Sequence, residues 1–173
     1  MSLDPAEANE LSSIQTVPSL YQRVVQPDRN DPTKITPILA ESWQADPAAK
    51  TLTIKLKSDA KFASGNPVRP EDVIYSYVRA VTLNKSGAFI LNVLGWQPEN
   101  IASQLKKIDD HTVQVQWSAD VSPALALNIL STPIASIVDE KLVAPNAKNN
   151  DFGNEWLKMH SAGSGAFKMR TYQ

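Results

Sequence analysis

The side chains that could carry out chemistry are few and far apart in this chain. His111 and His160 are its only histidines, and it contains no cysteine. Two isolated imidazoles without a third clustered ligand do not make a zinc site. Without cysteine, neither a thiolate nucleophile nor a disulfide is available. We therefore expect no metal site and no cofactor.

A small serine hydrolase is the enzymatic alternative. Gly163-Ser164-Gly165 places a serine between two glycines, but the Gly-x-Ser-x-Gly pattern of a nucleophile elbow is absent. Ser164 could still act with one of the histidines, and the glycines could cradle a phosphate through backbone N–H groups. A turn that leads into a last strand is the simpler interpretation of this segment. Asp109-Asp110 is typical of a hairpin turn rather than of acid–base chemistry.

Charge and composition exclude several other classes of function. The 173 residues are 42% hydrophobic and 20% charged, with 17 basic and 18 acidic residues and a net charge of −1. A balanced chain of this kind is not expected to bind nucleic acid through phosphate contacts. No apolar run is long enough for a transmembrane helix. The first residues do not resemble a signal peptide, so we expect either a cytosolic protein or a chain that starts after a removed leader.

Two hairpins are expected to supply the β structure. Residues 51–57 alternate strictly between apolar and polar side chains, which is typical of a half-buried antiparallel strand. They follow a short strand candidate at 41–45, and residues 106–108 and 112–117 flank a second turn. With the helices below, this pattern predicts an α+β domain.

Helical spacing predicts two main helices. The first covers residues 12–25 and should be kinked or divided by Pro18. The second runs from Pro70 to Leu83, with an apolar stripe and with Glu71, Ser76 and Arg79 on its polar side. Residues 26–38 are expected to be a loop. Residues 84–103 are expected to form a loop with one short apolar helix. Further short helical segments are expected at 123–130, at 138–143 and at 155–158, and residues 131–137 are expected to be extended.

The segment Asp59–Ile74 is the strongest local signal in the chain. Ser64-Gly65-Asn66-Pro67 groups four turn-forming residues, and Gly65 can adopt the positive φ that a sharp reversal needs. Pro70 is suited to the first position of the following helix, and two carboxylates come directly after it. Local chemistry therefore predicts a corner between a strand and a helix, with a structural role.

Several blocks along the chain resemble one known family. The similar blocks, in chain order, are Leu3-Asp-Pro5, Pro37-Ile-Leu-Ala-Glu-Ser-Trp43, Thr51–Phe62, Gly65-Asn-Pro-Val68 with Glu71-Asp-Val73, Ile108–Val113 and Gly163-Ser-Gly-Ala-Phe-Lys168. They resemble the amino-terminal part of the family 5 extracellular solute-binding proteins, the dipeptide- and oligopeptide-binding proteins of ABC importers. The chain departs from the family pattern where Arg69 replaces a Ser or Thr before the main helix, and where Ala166 replaces a proline.

The resemblance implies a fold of the periplasmic-binding-protein type II class. Residues 1–22 would begin lobe I, residues 23–145 would form an inserted small domain, and residues 146–173 would return to lobe I. Family members have two lobes that close over the ligand. The resemblance thus implies that this chain is an amino-terminal fragment without the second lobe. We expect such a fragment to bind peptides no more tightly than about millimolar, because half of the enclosing surface is absent.

The same resemblance suggests where a ligand would bind. The loop after Leu3-Asp4-Pro5 lines the cleft in oligopeptide-binding relatives, which corresponds here to Asn9, Glu10 and Leu11. An aromatic residue about ten positions beyond the helix arginine also reaches the peptide, which corresponds to Phe89. Glu10 could meet a ligand amine, or it could be an ordinary solvated carboxylate.

The implied function is binding rather than catalysis. By resemblance, the protein is a periplasmic monomer that binds di- or oligopeptides and delivers them to the transmembrane subunits of an ABC permease. The alternatives are another solute on the same scaffold, such as an opine, a nickel chelate or an oligosaccharide, and the small hydrolase described above.

Overall fold

The fold combines six short strands with seven helices in the ranges that a computed structural model describes, residues 2–7 and 10–170. The strands are β1 (Val25–Pro27), β2 (Ile35–Pro37), β3 (Ala40–Asp46), β4 (Thr51–Leu56), β5 (Leu105–Lys107) and β6 (Thr112–Gln116). The helices are α1 (Leu11–Leu20), α2 (Pro70–Leu83), α3 (Ala88–Asn92), α4 (Ile101–Gln104), α5 (Pro123–Leu130), α6 (Glu140–Val143) and α7 (Asn154–Leu157). This mixture of helices and antiparallel strands confirms the α+β prediction.

Both predicted hairpins are present, and they join into one antiparallel sheet of order β3-β4-β6-β5. The pairing of Ile54 with Trp43 on one side and with Val113 on the other places β4 in the middle. As the alternation predicts, Leu52, Ile54 and Leu56 are fully buried and Lys55 is exposed. The sheet therefore has one face against the core and one face toward solvent.

The segment between α1 and β3 differs from the sequence prediction. α1 contains Pro18 and continues to Leu20, so the proline does not divide it. It does not continue to Val25, because Tyr21 is extended, with φ −127° and ψ 143°. Val25 instead pairs with Pro37 in a second, two-stranded sheet where a loop was expected. This pairing joins residues that are not close in sequence, and neither helical spacing nor proline content can predict such a pairing.

The long helix has the predicted bounds, but its polar side is not exposed. α2 covers Pro70–Leu83, and Arg69 before it lacks a capping oxygen. Asp72 compensates, since its carboxylate accepts a hydrogen bond from the Arg69 backbone N–H at 2.8 Å. Ser76 and Arg79 lie on the predicted polar side, but they are only 3% and 1% exposed. They do not face solvent, because a second set of elements packs against this side of the helix.

The turn at Ser64-Gly65-Asn66 confirms the predicted corner and also contacts a distant segment. Gly65 has φ +95°, as a sharp reversal requires. The Ser64 hydroxyl and the Asn66 amide donate to the buried Asp139 carboxylate at 2.6 and 2.9 Å. Asp139 in turn caps α6 through the Leu142 N–H. The corner thus fastens the β4–α2 connection to the chain that follows residue 137.

The predictions for the shorter segments have mixed outcomes. The predicted helix at 123–130, the short helix within 84–103 and the helical turns near 138–143 and 155–158 are confirmed as α5, α3, α6 and α7, whereas α4 was not predicted. The extended segment at 131–137 contains a 3-10 turn at Pro133–Ala135. The strand expected after Gly163 is absent from residues 166–170 of the described chain. Gly165 and Phe167 instead donate backbone hydrogen bonds to Leu20 and Ser19, at the end of a helix that offers no strand to pair with.

Buried apolar side chains form two clusters. The larger cluster runs from Val24 to Ile137, with Ala6 as an addition from the N-terminal segment. The smaller cluster joins side chains from both ends of the chain: Leu3, Val17, Leu20, Tyr21, Val138, Val143, Leu157 and Ala162. The N-terminal segment therefore packs against residues 138–162. Among the described residues, no helix is both long enough and apolar enough to cross a membrane.

Candidate functional site

A buried ion pair organises the N-terminal segment next to the predicted ligand loop. The guanidinium of Arg79 donates to both carboxylate oxygens of Asp4, from Nη1 at 2.8 Å and from Nη2 at 2.7 Å. Both side chains are buried, at 1% and 0% exposure. A bidentate arrangement of this kind fixes both direction and distance. Since Asp4 lies in the N-terminal segment and Arg79 lies on α2, the pair anchors residues 2–7 to the body of the protein.

Further hydrogen bonds complete this anchor. Asn154 donates to Asp4 Oδ2 at 2.7 Å, and the backbone N–H of Ala6 donates to Oδ1 at 2.9 Å. Arg79 Nε donates to the Phe152 carbonyl at 3.1 Å. Burial lowers the pKa of Arg79, but the charge of Asp4 and its hydrogen bonds, together with the nearby Tyr75 and Tyr21, raise the pKa above its usual value. The guanidinium therefore stays charged in the interior, where an unpaired charge would be very costly.

A small polar concavity opens beside this anchor, next to the start of α1. Its volume is about 250 Å³. Its lining residues are Ser2, Glu7, Glu10, Ser13 and Lys158. Glu10 was predicted from the resemblance, whereas the other four were missed. No local pattern could reveal them, because Lys158 is brought to the N-terminal segment only by the folding of the whole chain.

The predicted ligand-contact residues have different places in the structure. Asn9 lies outside the described residues. Glu10 lines the polar concavity, and Leu11 begins α1 with 73% of its surface exposed. Phe89 is on α3 and is 65% exposed. Large apolar side chains with this exposure contribute little to a core.

The elements that carry Leu11 and Phe89 share a neighbour. α1 and α3 both pack against the 3-10 turn at Pro133–Ala135. The contact with α3 is close, since a Cβ at Gly87 would lie 3.0 Å from Ile134 Cδ1. The turn therefore fixes α1 and α3 with respect to each other. Phe89 does not line the concavity that contains Glu10.

The residues of the hydrolase alternative are not assembled in the described chain. His111 is exposed at the tip of the β5–β6 hairpin. The ring of His160 stacks on Trp156 with centroids 4.4 Å apart, and its Nδ1 lies 2.8 Å from the Trp156 carbonyl oxygen. The Ser164 hydroxyl is buried and makes no hydrogen bond with either imidazole. The contact between nucleophile and base that this chemistry requires is therefore not formed here.

A larger concavity of about 520 Å³ lies around the stacked pair of Trp156 and His160. Met159 and Met169 also line it. Its volume alone would favour it as a ligand site. None of the residues that the resemblance implies lies in it, so we regard the surface near α1 and α3 as the candidate site.

Comparison with known proteins shows which family this chain belongs to. Residues 34–173 match the family model described as "Bacterial extracellular solute-binding proteins, family 5 Middle". The chain belongs to this family. A curated relative, the probable D,D-dipeptide-binding periplasmic protein DdpA of Escherichia coli K12, is 30% identical over 175 residues. That alignment covers 99% of this chain and 32% of the relative.

Solved structures of the family have the same fold. The Escherichia coli murein tripeptide binding protein MppA matches with a TM-score of 0.78 and 25% identity, over 99% of this chain and 34% of that protein. The substrate-binding domain of an oligopeptide ABC transporter from Bacillus anthracis matches with a TM-score of 0.83 and 21% identity, over 99% and 33%. The fold is thus of the periplasmic-binding-protein type II class, as predicted. The chain spans about a third of the length of these family members.

Proposed function

We propose that this family 5 chain belongs to the substrate-binding component of an ABC importer, which binds di- or oligopeptides in the periplasm and delivers them to the permease. The observation that carries the proposal is the match over nearly the whole chain to a relative named as a D,D-dipeptide-binding periplasmic protein. The exposed apolar side chains of Leu11 and Phe89 support it, because the fold leaves them without a core to fill.

We propose that Asn9, Glu10, Leu11 and Phe89 contact the ligand. A peptide offers a repeating backbone and variable side chains, so an apolar surface with few charges can accept many sequences. Leu11 and Phe89 would supply that apolar surface, and Glu10 would supply a charge. The bidentate pair of Asp4 and Arg79 would hold the N-terminal segment, residues 2–7, in place before the ligand arrives.

We also propose that residues 1–22 and 146–173 belong to one lobe and that residues 23–145 form an inserted domain. The division of the core supports this proposal, because the smaller cluster combines side chains from the first 21 residues with side chains after residue 137. Val138 and Val143 pack in the smaller cluster. The chain therefore passes from the larger to the smaller cluster a few residues before the proposed boundary at position 146.

Mass spectrometry of bound ligands tests the proposed substrate class. The full-length protein that contains this chain is purified from its own source without unfolding, and its ligands are then released by denaturation and identified. We expect a mixture of short peptides. An opine, a nickel chelate or an oligosaccharide as the released ligand would contradict the peptide proposal and would favour another solute on the same scaffold.

A further inference from the structure

The larger concavity, around Trp156 and His160, collects soft metal-binding donors of this chain. Two of the three methionines, Met159 and Met169, line it together with His160. Its volume of about 520 Å³ leaves room for an ion beside these side chains. The proposed peptide-binding surface uses none of them. These sulfur and nitrogen donors are therefore available to a different ligand.

A backbone hydrogen bond brings the second methionine close to the first. Met159 and His160 come shortly after α7, and the backbone N–H of Met169 donates to the Ser161 hydroxyl at 2.9 Å. Met169 packs against the smaller cluster of buried side chains, whereas Met159 is 45% exposed. One thioether is thus held by the core, and the other is accessible to an ion from solvent.

The imidazole of His160 is held in the form that a metal ligand requires. Its Nδ1 lies 2.8 Å from the Trp156 carbonyl oxygen. Because a carbonyl oxygen only accepts hydrogen bonds, Nδ1 carries the proton of the neutral ring and the lone pair lies on Nε2. The ring also stacks on the Trp156 indole, with an angle of 3° between the two planes. Metal-binding histidines are commonly oriented by a backbone carbonyl on the nitrogen that does not bind the ion.

The lining of this concavity favours a soft monovalent ion. Thioether sulfur selects Cu(I), and imidazole also binds copper. Calcium and magnesium need carboxylate oxygens, and no carboxylate is among the described residues that line the concavity. Arg170 lines it too, but this residue is exposed, so its charge can remain in water. The sequence predicted no metal site on the basis of zinc ligands, and thioethers are not among those ligands.

We propose that Met159, His160 and Met169 bind one soft monovalent metal ion, Cu(I) or Ag(I). The two sulfurs and Nε2 supply three ligands, Trp156 holds the imidazole, and Leu142 adds an apolar wall that limits access of water. The site does not depend on the proposed peptide function. The competing explanation is a plain apolar packing surface, which predicts that no soft metal binds.

Isothermal titration calorimetry of the chain with silver nitrate, in a buffer without chloride, tests the proposal. Ag(I) is the air-stable analogue of Cu(I), and the chain has no cysteine whose thiolate could compete for it. We expect one Ag(I) ion to bind per chain. We expect Met159→Leu and Met169→Leu each to weaken binding about tenfold or more, because loss of a group that only supports a ligand already costs about 10–100-fold.

The two histidines provide a matched pair of variants. His111 is exposed at the tip of the β5–β6 hairpin and does not line this concavity. We expect His160→Gln to weaken Ag(I) binding about tenfold or more and His111→Gln to leave it unchanged. Equal losses in the two variants would show that silver binds single exposed imidazoles, and would overturn the site.

Thermal unfolding separates loss of a ligand from loss of the fold. Leucine has nearly the volume of methionine, so without metal the double variant Met159→Leu/Met169→Leu should melt close to the unchanged chain. Ag(I) should raise the melting temperature of the unchanged chain, as a ligand of the folded state does, and should not raise that of the double variant. Equal stabilisation of both by silver, or a chain that binds no silver, would overturn the proposal.

Discussion

Arg79 shows how a single side chain connects the parts of this molecule. The helical pattern placed it on the polar side of α2, and the structure buries it against Asp4, 75 positions away in the chain. Helical periodicity reports which residues share a face, but it cannot report that a second layer covers that face. The charge of Arg79 was visible in the sequence, whereas its burial depends on a partner that only the folded chain supplies.

We predict that Arg79→Met lowers the free energy of unfolding by about 3–5 kcal/mol, because it leaves the Asp4 carboxylate buried without its partner. Urea unfolding measures the change. Lys107→Met is the matched control, since its ion pair with Glu71 is over a third exposed on both sides and should contribute little to stability.

The double variant Asp4→Asn/Arg79→Met extends this test. It removes the uncompensated charge, so it should be more stable than Arg79→Met alone. An Arg79→Met variant that loses no more stability than Lys107→Met would show that the pair does not anchor the N-terminal segment.

At the scale of secondary-structure elements, the sequence correctly predicted the features that depend on interactions between neighbouring residues. The bounds of α2 follow from Pro70 at its first position and from its apolar stripe. The alternation of residues 51–57 gave the strand and its buried face correctly, because strand periodicity is fixed by backbone geometry. The hairpin of β1 and β2 was missed, since it depends on the pairing of Val25 with Pro37. In the candidate site, a family resemblance predicted Leu11 and Phe89, whereas Ser13 and Lys158 could be recognised only from the folded structure.

Close contact between α1 and the last described segment leads to a further prediction. A Cβ at Gly163 would lie 2.1 Å from the Leu20 carbonyl oxygen, and that oxygen also accepts from Gly165 N–H. We therefore expect Gly163→Ala to lower the free energy of unfolding by about 3 kcal/mol, at the upper end of ordinary overpacking. Thermal and urea unfolding would measure it.

Gly65→Ala is the matched comparison. A Cβ there meets no atom within 4 Å, but φ is +95°, so the cost is conformational strain of about 1–2 kcal/mol. Equal costs for the two variants would mean that the segment at Gly163 moves away from α1 without loss, and that the two chain ends do not form one packed unit.

At the scale of the whole molecule, two clusters of buried side chains share one long helix. The larger cluster packs on one side of α2, through Val73, Tyr77 and Val81. The other side of the helix carries Ser76, which accepts a hydrogen bond from the Val138 N–H at 2.9 Å, and Arg79 with its Asp4 partner. The helix is thus the common support of the inserted domain and of the lobe that we propose. Movement of the proposed inserted domain relative to the proposed lobe would have to break these buried polar contacts.

The central claim is that a peptide ligand binds the surface near α1 and α3, and cross-linking with a photoreactive peptide tests it most directly. A short peptide carrying a benzophenone group is irradiated with the protein, and the labelled segments are identified by mass spectrometry. We predict labels on the segment that contains Glu10 and Leu11 and on the segment that contains Phe89, reduced by an excess of unlabelled peptide. Labels confined to the concavity around Trp156 and Met159, or labels that unlabelled peptide does not reduce, would contradict the account.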